Sequence, residues 1–179
     1  MIYVVVALKS EAQAFVDKYK LRKSKLGLFK YFSNENIRLI ISNIGVENSR
    51  NATQALINQF DITDDDIYLN IGICGASSSF NIGSLIEIGT LSYKGITYTI
   101  NNRTKTLTCV DEPMSEGCEE IVDMESFGFY DAVTHNPAIK KFHILKVVSD
   151  HFEPHTVTKD TTKKLIFNKI DAINKIINS

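Results

Sequence analysis

The chain has 179 residues, of which 44% are hydrophobic and 23% charged. This composition is typical of a soluble globular protein, and the length favours a single domain over residues 1–179. With 20 basic and 21 acidic residues, the formal net charge is −1, which gives no support to nucleic-acid binding. The apolar run at the start is too short for a signal peptide or a membrane span, so we expect no membrane contact. The three scattered cysteines indicate no disulfide framework and favour the cytoplasm.

The first part of the chain alternates between apolar runs and amphipathic segments. The predicted elements are, in order, a buried strand over 2–8, a helix over 11–19 capped by Ser10, a hairpin with strands over 28–33 and 37–42, a helix over 49–60 and a strand over 67–71. The basic run over residues 18–25 is predicted to be the solvated end of the first helix and the loop that follows it.

Small residues follow directly over 72–79, where Gly72-Ile73-Cys74-Gly75-Ala76-Ser77-Ser78-Ser79 predicts a loop that lets a ligand approach the backbone. The later predicted elements are a strand over 82–90, a hairpin with strands over 96–100 and 104–110, a helix over 126–133, a strand over 142–148 and a terminal helix over 158–177. Strands and helices alternate at both ends of the chain with hairpins between them, which predicts a mixed-sheet α/β domain.

Acidic residues stand just past a predicted strand or at a strand-to-helix turn at Glu11, Glu125 and Asp150. Because ligands bind at the carboxyl ends of strands in open α/β sheets, these side chains are candidates for one shared cleft. Carboxylates held close together there would divide into a general acid and a general base. The alternative interpretation is that Glu11 and Glu125 are first-turn helix acids and that Asp150 is a cap.

Nucleophilic and metal-binding residues are less clearly indicated. Cys74 lacks a histidine nearby in sequence and is better interpreted as a small buried residue. His151 and His155 are four apart, but Pro154 argues against a helical metal pair, so we expect neither a metal nor a cofactor. The aromatic residues near the acidic motifs, which could stack on a base but by default pack in the core, are Phe127, Phe129 and Phe152.

Four segments, taken in order, resemble a known family. They are Ala7-Leu8-Lys9-Ser10-Glu11 after the first strand, Ser42-Asn43-Ile44-Gly45-Val46-Glu47-Asn48, Asn70-Ile71-Gly72-Ile73-Cys74-Gly75-Ala76 with Ile82-Gly83-Ser84-Leu85-Ile86 after it, and finally Asp123-Met124-Glu125 with Val148-Ser149-Asp150. Together they resemble the nucleoside phosphorylase superfamily of the purine-nucleoside and uridine phosphorylase type. Within it, the chain is most similar to the 5′-methylthioadenosine/S-adenosylhomocysteine nucleosidases.

The resemblance implies a three-layer αβα fold around a central mixed, partly barrel-like sheet, in a homodimer or a larger homo-oligomer. It implies cleavage of the N-ribosidic bond of a small-molecule nucleoside, in which Asp150 protonates the departing purine and Glu11 activates the attacking water. Glu125 would bind the ribose hydroxyls and Met124 would pack against the sugar. The remaining substrate-binding residues that the resemblance implies are Gly45, Ile73, Gly75 and Ser149.

The chain departs from the family's pattern between Thr90 and Glu120, where it is shorter than typical members. Residues 109–114 are therefore expected to complete the base pocket, or the pocket is more open. The arginines, none of which falls on a phosphate motif, are Arg22, Arg38, Arg50 and Arg103. Their positions favour hydrolysis, with a phosphorylase as the first alternative and a truncated homologue that binds a nucleoside without catalysis as the second.

Overall fold

A computed structural model of the chain describes residues 1–115 and 119–178. The strands within these residues are β1 (Ile2–Val6), β2 (Arg22–Leu26), β3 (Phe29–Ser33), β4 (Ile37–Ile41), β5 (Ile67–Ala76), β6 (Leu85–Glu87), β7 (Thr90–Tyr93), β8 (Ile96–Thr99), β9 (Thr106–Cys109), β10 (Ile121–Asp123) and β11 (Lys141–Asp150). The α-helices are α1 (Lys9–Tyr19), α2 (Val46–Gln59), α3 (Ser126–Thr134), α4 (Lys159–Phe167) and α5 (Ile170–Ile177).

The strands join in one mixed sheet that is built around the long strand β5. One edge of β5 pairs in parallel with β11, which also pairs with the short strand β6. The other edge pairs in parallel with β1 and, near its end, antiparallel with β10. The ladder continues through β4, β3 and β2 on one side and through β9, β7 and β8 on the other. The mixed sheet is as predicted, but the pairings among the described residues do not close it into a barrel.

Helices cover both faces of the sheet, because alternate side chains of the central strands point to opposite sides. Val4 of β1 packs in a core with Phe15 of α1 and Ile173 of α5. The next residue, Val5, packs in a second core with Leu56 of α2. The three-layer αβα arrangement is therefore confirmed, with α1, α4 and α5 on one face and α2 and α3 on the other.

The predicted loop of small residues is mostly strand. β5 continues to Ala76, since β11 pairs with it as far as Gly75 and β10 pairs with Gly75 and Ala76. Backbone pairing on both edges outweighs the low strand propensity of glycine. Glycine at position 72 allows Glu11 to pack closely against the strand, because a Cβ there would lie only 3.0 Å from Glu11 Oε1.

The second predicted hairpin, with strands over 96–100 and 104–110, is wrong, because these two strands do not pair with each other. β8 pairs antiparallel with β7 through a turn at Lys94 and Gly95, whose φ angles are 49° and 78°. Positive φ at both turn residues is the backbone that a tight two-residue hairpin requires. β9 lies parallel to β7 and β10 instead of pairing with β8. The first predicted hairpin, of β3 and β4, is confirmed.

Two helix boundaries and one loop also differ from the prediction. α1 begins at Lys9, so Ser10 lies inside it and Leu8 holds the cap position. The predicted terminal helix is split between α4 and α5 by a tightened turn, in which Lys169 N donates to Ile166 O. The basic segment Arg22–Leu26 is an exposed edge strand rather than a loop, and lysines there protect the edge against further pairing.

Within the described part of the chain, none of the helices has the length and apolar character needed to cross a bilayer.

The close packing of α3 on α2 makes Gly128→Ala strongly destabilising. A Cβ at Gly128 would lie 1.9 Å from Val46 O and 2.8 Å from Arg50 N, both backbone atoms of α2. Overpacking of this kind costs about 3 kcal/mol or more of the free energy of unfolding, which urea denaturation measures. Helix propensity alone predicts the opposite sign, a stabilisation of up to about 1 kcal/mol. An unchanged or increased stability would contradict the close approach.

Candidate active site

A cavity of about 830 Å³ opens where β1, β5, β10 and β11 end. The predicted site residues that line it are Glu11, Ile73, Gly75, Met124, Glu125, Ser149 and Asp150. Gly45 is not in the lining, but its backbone N–H donates to Glu125 Oε1 at 3.2 Å. Glu11 and Asp150 come together because β1 and β11 both run parallel to β5 and end at the same edge of the sheet. Glu125 follows β10, which runs antiparallel to β5 and reaches the cavity because it pairs with the end of that strand at Gly75 and Ala76.

Glu11 is almost fully buried and is held by backbone donors. Its Oε2 accepts the N–H groups of Ala7 and Leu8 at 3.0 and 2.8 Å, which ties the carboxylate to the start of α1. Its Oε1 accepts the N–H of Ile73 on β5 at 2.9 Å. The carboxylate is thus a helix-terminal acid and a cavity residue at once. Burial raises the pKa of Glu11 above its ordinary value, although these hydrogen bonds oppose the rise.

Glu125 is buried at the start of α3, where it faces other carboxylates. Burial and the nearby charge of Asp123 raise the pKa of Glu125 from 4.5 to about 7. The side chain therefore exchanges its proton close to neutral pH. At that pH it is able to donate a hydrogen bond in one protonation state and to accept one in the other.

The raised pKa of Glu125 predicts a pH-dependent stability. Between pH 4.5 and about 7 the folded protein keeps a proton that the unfolded chain has released, so the free energy of unfolding falls as the pH rises through this interval. The interval corresponds to a loss of about 3 kcal/mol. Urea unfolding at pH 5 and pH 8 measures it. Glu125→Gln is expected to lack this loss, and parallel pH profiles of the two proteins would contradict the assignment.

A buried ion pair lies beside these acids and was not anticipated. Lys146 on β11 is 1% exposed, and its Nζ lies 2.7 Å from Oδ2 of Asp123. Ser126 Oγ donates to the same carboxylate oxygen at 2.5 Å. Burial lowers the pKa of Lys146, but the charges of Asp123 and Glu125 outweigh burial and raise it above its ordinary value. A lysine inside the apolar run 144–148 is the sequence signal that could have indicated this pair.

Asp150 and Ser149 are adjacent residues that both line the cavity, which an irregular register of β11 between Val148 and Asp150 permits. Ser149 Oγ lies 2.6 Å from Asp150 Oδ2 and 3.1 Å from the carbonyl oxygen of Cys74. The hydroxyl thereby donates to the carboxylate of Asp150 and also lies within hydrogen-bond distance of the backbone of β5.

Apolar side chains form the wall next to Asp150. Phe152 lines the cavity with a φ of 63°, and a Cβ on Gly75 would lie 3.4 Å from its ring and 3.5 Å from Asp150 Oδ1. The ring of Phe152 therefore packs close to the backbone at Gly75, and a side chain at this position would contact both the ring and Asp150. Of the other two candidate stacking residues, Phe127 instead stacks on Tyr93 with ring centroids 4.2 Å apart, and Phe129 is buried in the core.

The segment expected to complete the base pocket contributes Val110, Pro113 and Met114 to the lining. Cys74 is buried, and burial raises the pKa of its thiol, which makes it a poor nucleophile. Cys118 lies outside the described residues. Within residues 1–115 and 119–178, no group of three or more His, Cys, Asp or Glu side chains is arranged to hold a metal ion.

Several solved structures have the same fold. The 5′-methylthioadenosine/S-adenosylhomocysteine nucleosidase of Neisseria meningitidis aligns with a TM-score of 0.80 and 14% identity, over 98% of this chain and 97% of that one. The nucleosidase of the same name from Helicobacter pylori aligns with a TM-score of 0.81 and 13% identity, over 99% and 97%. Futalosine hydrolase of Helicobacter pylori gives 0.80 and 13%, over 99% and 97%. No family model and no curated protein matches the sequence. At these identities the likeness establishes the fold.

Proposed function

We propose that this protein hydrolyses the N-ribosidic bond of a purine nucleoside or an adenosyl thioether. The observation that carries the proposal is the convergence of three buried carboxylates, Glu11, Glu125 and Asp150, on one cavity with an apolar wall. Departure of a purine needs a proton, and the sugar left behind passes through an oxocarbenium-like state that carboxylates stabilise. The solved structures of similar fold include nucleosidases and a futalosine hydrolase.

Asp150 is the proposed general acid. Ser149 Oγ and the backbone N–H of Glu153 donate to its two carboxyl oxygens and fix the side chain at the cavity. The ring of Phe152 lines the cavity beside it and offers an aromatic face on which a flat base would stack. A purine in this position would place a ring nitrogen within reach of the acidic proton, and proton transfer would turn the base into a good leaving group.

Glu125 and Glu11 are the proposed sugar-binding and water-activating groups. Glu125, with a pKa of about 7, is suited to bind ribose hydroxyls, and Gly45 N fixes one of its oxygens. Met124 lies between it and Asp123 in the cavity lining, where its side chain would pack against the sugar. Three backbone N–H groups fix the carboxylate of Glu11, and its raised pKa makes it a stronger base toward water.

Hydrolysis is favoured over phosphorolysis because the arginines lie away from the cavity, where they could not bind phosphate. None of those in the described residues lines the cavity. Arg50 pairs with Asp131 at 2.6 Å, Arg103 pairs with Glu87 at 2.7 Å, and the guanidinium of Arg38 lies 3.6 Å from the centre of the Phe60 ring.

The test is incubation with a panel of purine nucleosides and 5′-thioethers in phosphate-free buffer, with chromatography for free base. We expect free base and free sugar without phosphate. Base release that requires phosphate and yields a sugar phosphate would establish the phosphorylase alternative. Tight binding of a nucleoside by calorimetry without any base release would instead support the non-catalytic alternative.

We also propose that the protein acts as a homodimer or larger homo-oligomer in the cytoplasm, as the sequence resemblance and the cysteine content imply. Light scattering on the purified chain measures the mass of the assembly. A monomer with full nucleosidase activity would show that the proposed assembly is not needed for the reaction.

A further inference from the structure

The hairpin of β2 and β3 ends in a turn that exposes a leucine completely. The two strands pair as far as Leu26 and Phe29, which leaves Gly27 and Leu28 as a two-residue turn. Gly27 has a φ of 58°, which suits the first position of such a turn, and a polar residue is usual at the second. Leu28 is instead 102% exposed. Its side chain adds nothing to the packing of the fold, so an apolar surroundings supplied by a partner would explain it.

The same hairpin carries an excess of positive charge. Lys25 and Lys30 lie directly opposite each other on its two strands, and like charges in this position destabilise a hairpin. The exposed basic residues of the hairpin and of the end of α1 that make none of the salt bridges among the described residues are Lys20, Arg22, Lys23, Lys25 and Lys30. Of the acids close by in sequence, Asp17 pairs with Lys163, and Glu35 follows the end of β3 that is remote from the turn.

Protection of the sheet edge accounts for only part of this arrangement. Lysines along an edge strand discourage further pairing, and Lys23 on β2 is placed to do so. Lys30 belongs to the inner strand of the hairpin, and Leu28 belongs to the turn, so neither guards that edge. An apolar tip with a pair of cations immediately behind it is therefore left to explain.

We propose that the β2–β3 hairpin binds an anionic lipid surface, with Leu28 among the headgroups and with Lys25 and Lys30 facing the phosphates. Both lysines are two residues from the turn, which is about 7 Å along a strand, so both lie within a Debye length of a surface that the leucine touches. Basic residues near an anionic membrane and an inserted apolar side chain each favour binding. A nucleic acid would attract the cations but would leave the leucine in water. The contact is peripheral and does not depend on the proposed function.

The turn lies at the edge of the sheet where the cavity opens. Lys30 pairs with Ile41 of β4, and Ile41 pairs with Val6 of β1. Val6 is followed by Ala7 and Leu8, which line the cavity. The lipid surface would therefore lie on the side of the molecule on which the cavity opens.

The test is co-sedimentation of the whole protein with vesicles of phosphatidylcholine alone and with vesicles that also contain phosphatidylglycerol. We expect at least about tenfold tighter binding to the anionic vesicles and a loss of this preference at high salt. Lys25→Gln combined with Lys30→Gln should weaken binding by about tenfold or more. Leu28→Asn, which places a typical turn residue there, should weaken it by about tenfold. The lysine double variant should not lower the Tm, because it removes a repulsion.

The chain offers a matched control for each change. Lys140→Gln combined with Lys141→Gln removes the same charge at the start of β11, which is the opposite end of the parallel strands. Ile96→Asn removes a 57% exposed apolar residue from the β7–β8 hairpin at the other edge of the sheet. Both controls should bind the anionic vesicles as the unaltered protein does.

The proposal is overturned by equal binding to both kinds of vesicle, by no binding to either, or by hairpin variants that bind no more weakly than the controls. Duplex DNA tests the other polyanion. If the protein binds DNA as tightly as the anionic vesicles and Leu28→Asn weakens neither interaction, the hairpin is a nucleic-acid site and the lipid proposal fails. Base release is measured separately without lipid, so a failure of the proposed function leaves the vesicle result unaffected.

Discussion

Replacement of Asp150 by asparagine is expected to lower base release from a purine nucleoside by about 10²- to 10⁴-fold and to leave the fold intact. The asparagine oxygen still accepts the N–H of Glu153, which donates to Asp150 Oδ1 at 2.8 Å. The asparagine amide donates to Ser149 Oγ, and Ser149 donates to Cys74 O. The variant therefore keeps hydrogen bonds to these neighbours but has no acidic proton to give. Base release by chromatography and the Tm measure the two effects.

A substrate that needs no acid distinguishes proton donation from binding. Cleavage of 4-nitrophenyl β-ribofuranoside releases 4-nitrophenolate, a stable anion that leaves without being protonated. Asp150→Asn should therefore keep most of its activity toward this compound, whereas Glu11→Gln should lose activity toward both substrates. Glu153→Gln is the control for an added amide at this turn, since Glu153 is exposed and lies outside the lining. Normal purine release by Asp150→Asn would defeat the role of Asp150 as the acid.

The sequence was informative where the physical signal is local. An apolar run of β-branched residues followed by Glu11 predicted both β1 and an acid at its carboxyl end, and the apolar run before Asp150 did the same for β11. Strand ends in a mostly parallel sheet converge for topological reasons. The meeting of Glu11 and Asp150 in one cavity could therefore be expected without knowledge of any distance. Glu125 joins them from β10, whose antiparallel pairing with the end of β5 is not a local signal. Their chemical roles remain predictions.

Features that depend on a distant partner were not predictable in the same way. Gly72 and Gly75 look like loop residues until β10 and β11 supply the hydrogen bonds that make them strand. β9 was predicted as the return strand of a hairpin with β8, but the tight turn at Lys94 and Gly95 pairs β8 with β7, and β9 lies parallel to β7 on its other edge. Such pairings are decided by competition between non-local strands, which local propensity does not encode.

The partner of a buried charge could likewise not be predicted from the local sequence, as the ion pair of Lys146 and Asp123 shows. Lys146 interrupts an apolar strand, which signals a buried charge but not its partner. Asp123 belongs to another strand, and the sheet order brings the two together at 2.7 Å. A cation at this depth lets several carboxylates coexist, since the charge of Lys146 lowers the pKa values of Glu11 and Glu125 against the effect of burial. Lys146 therefore affects both the stability of the fold and the protonation of the acids in the cavity.

Lys146→Met is expected to lower the free energy of unfolding at neutral pH by about 3–5 kcal/mol, the usual cost of a buried charge that loses its partner. Methionine fills a similar volume, so the cost comes from charge rather than from a cavity. Asp123 would remain buried beside Glu125 without a cation, although Ser126 would still donate to it. Urea unfolding measures the loss, and a decrease below about 1 kcal/mol would show that the pair is not needed to compensate the buried acids.

The pH dependence and a double variant give this prediction a sharper form. Loss of the lysine raises the pKa of the nearby carboxylates, so protonation relieves the penalty and the deficit of Lys146→Met should shrink as the pH falls from 8 to 5. Asp123→Asn combined with Lys146→Met leaves no unpaired charge at this position, and the double variant should lose less than the sum of the two single variants. Additive losses, equal at both pH values, would mean that Lys146 stabilises the protein by packing alone and that the acids of the cavity share no common cation.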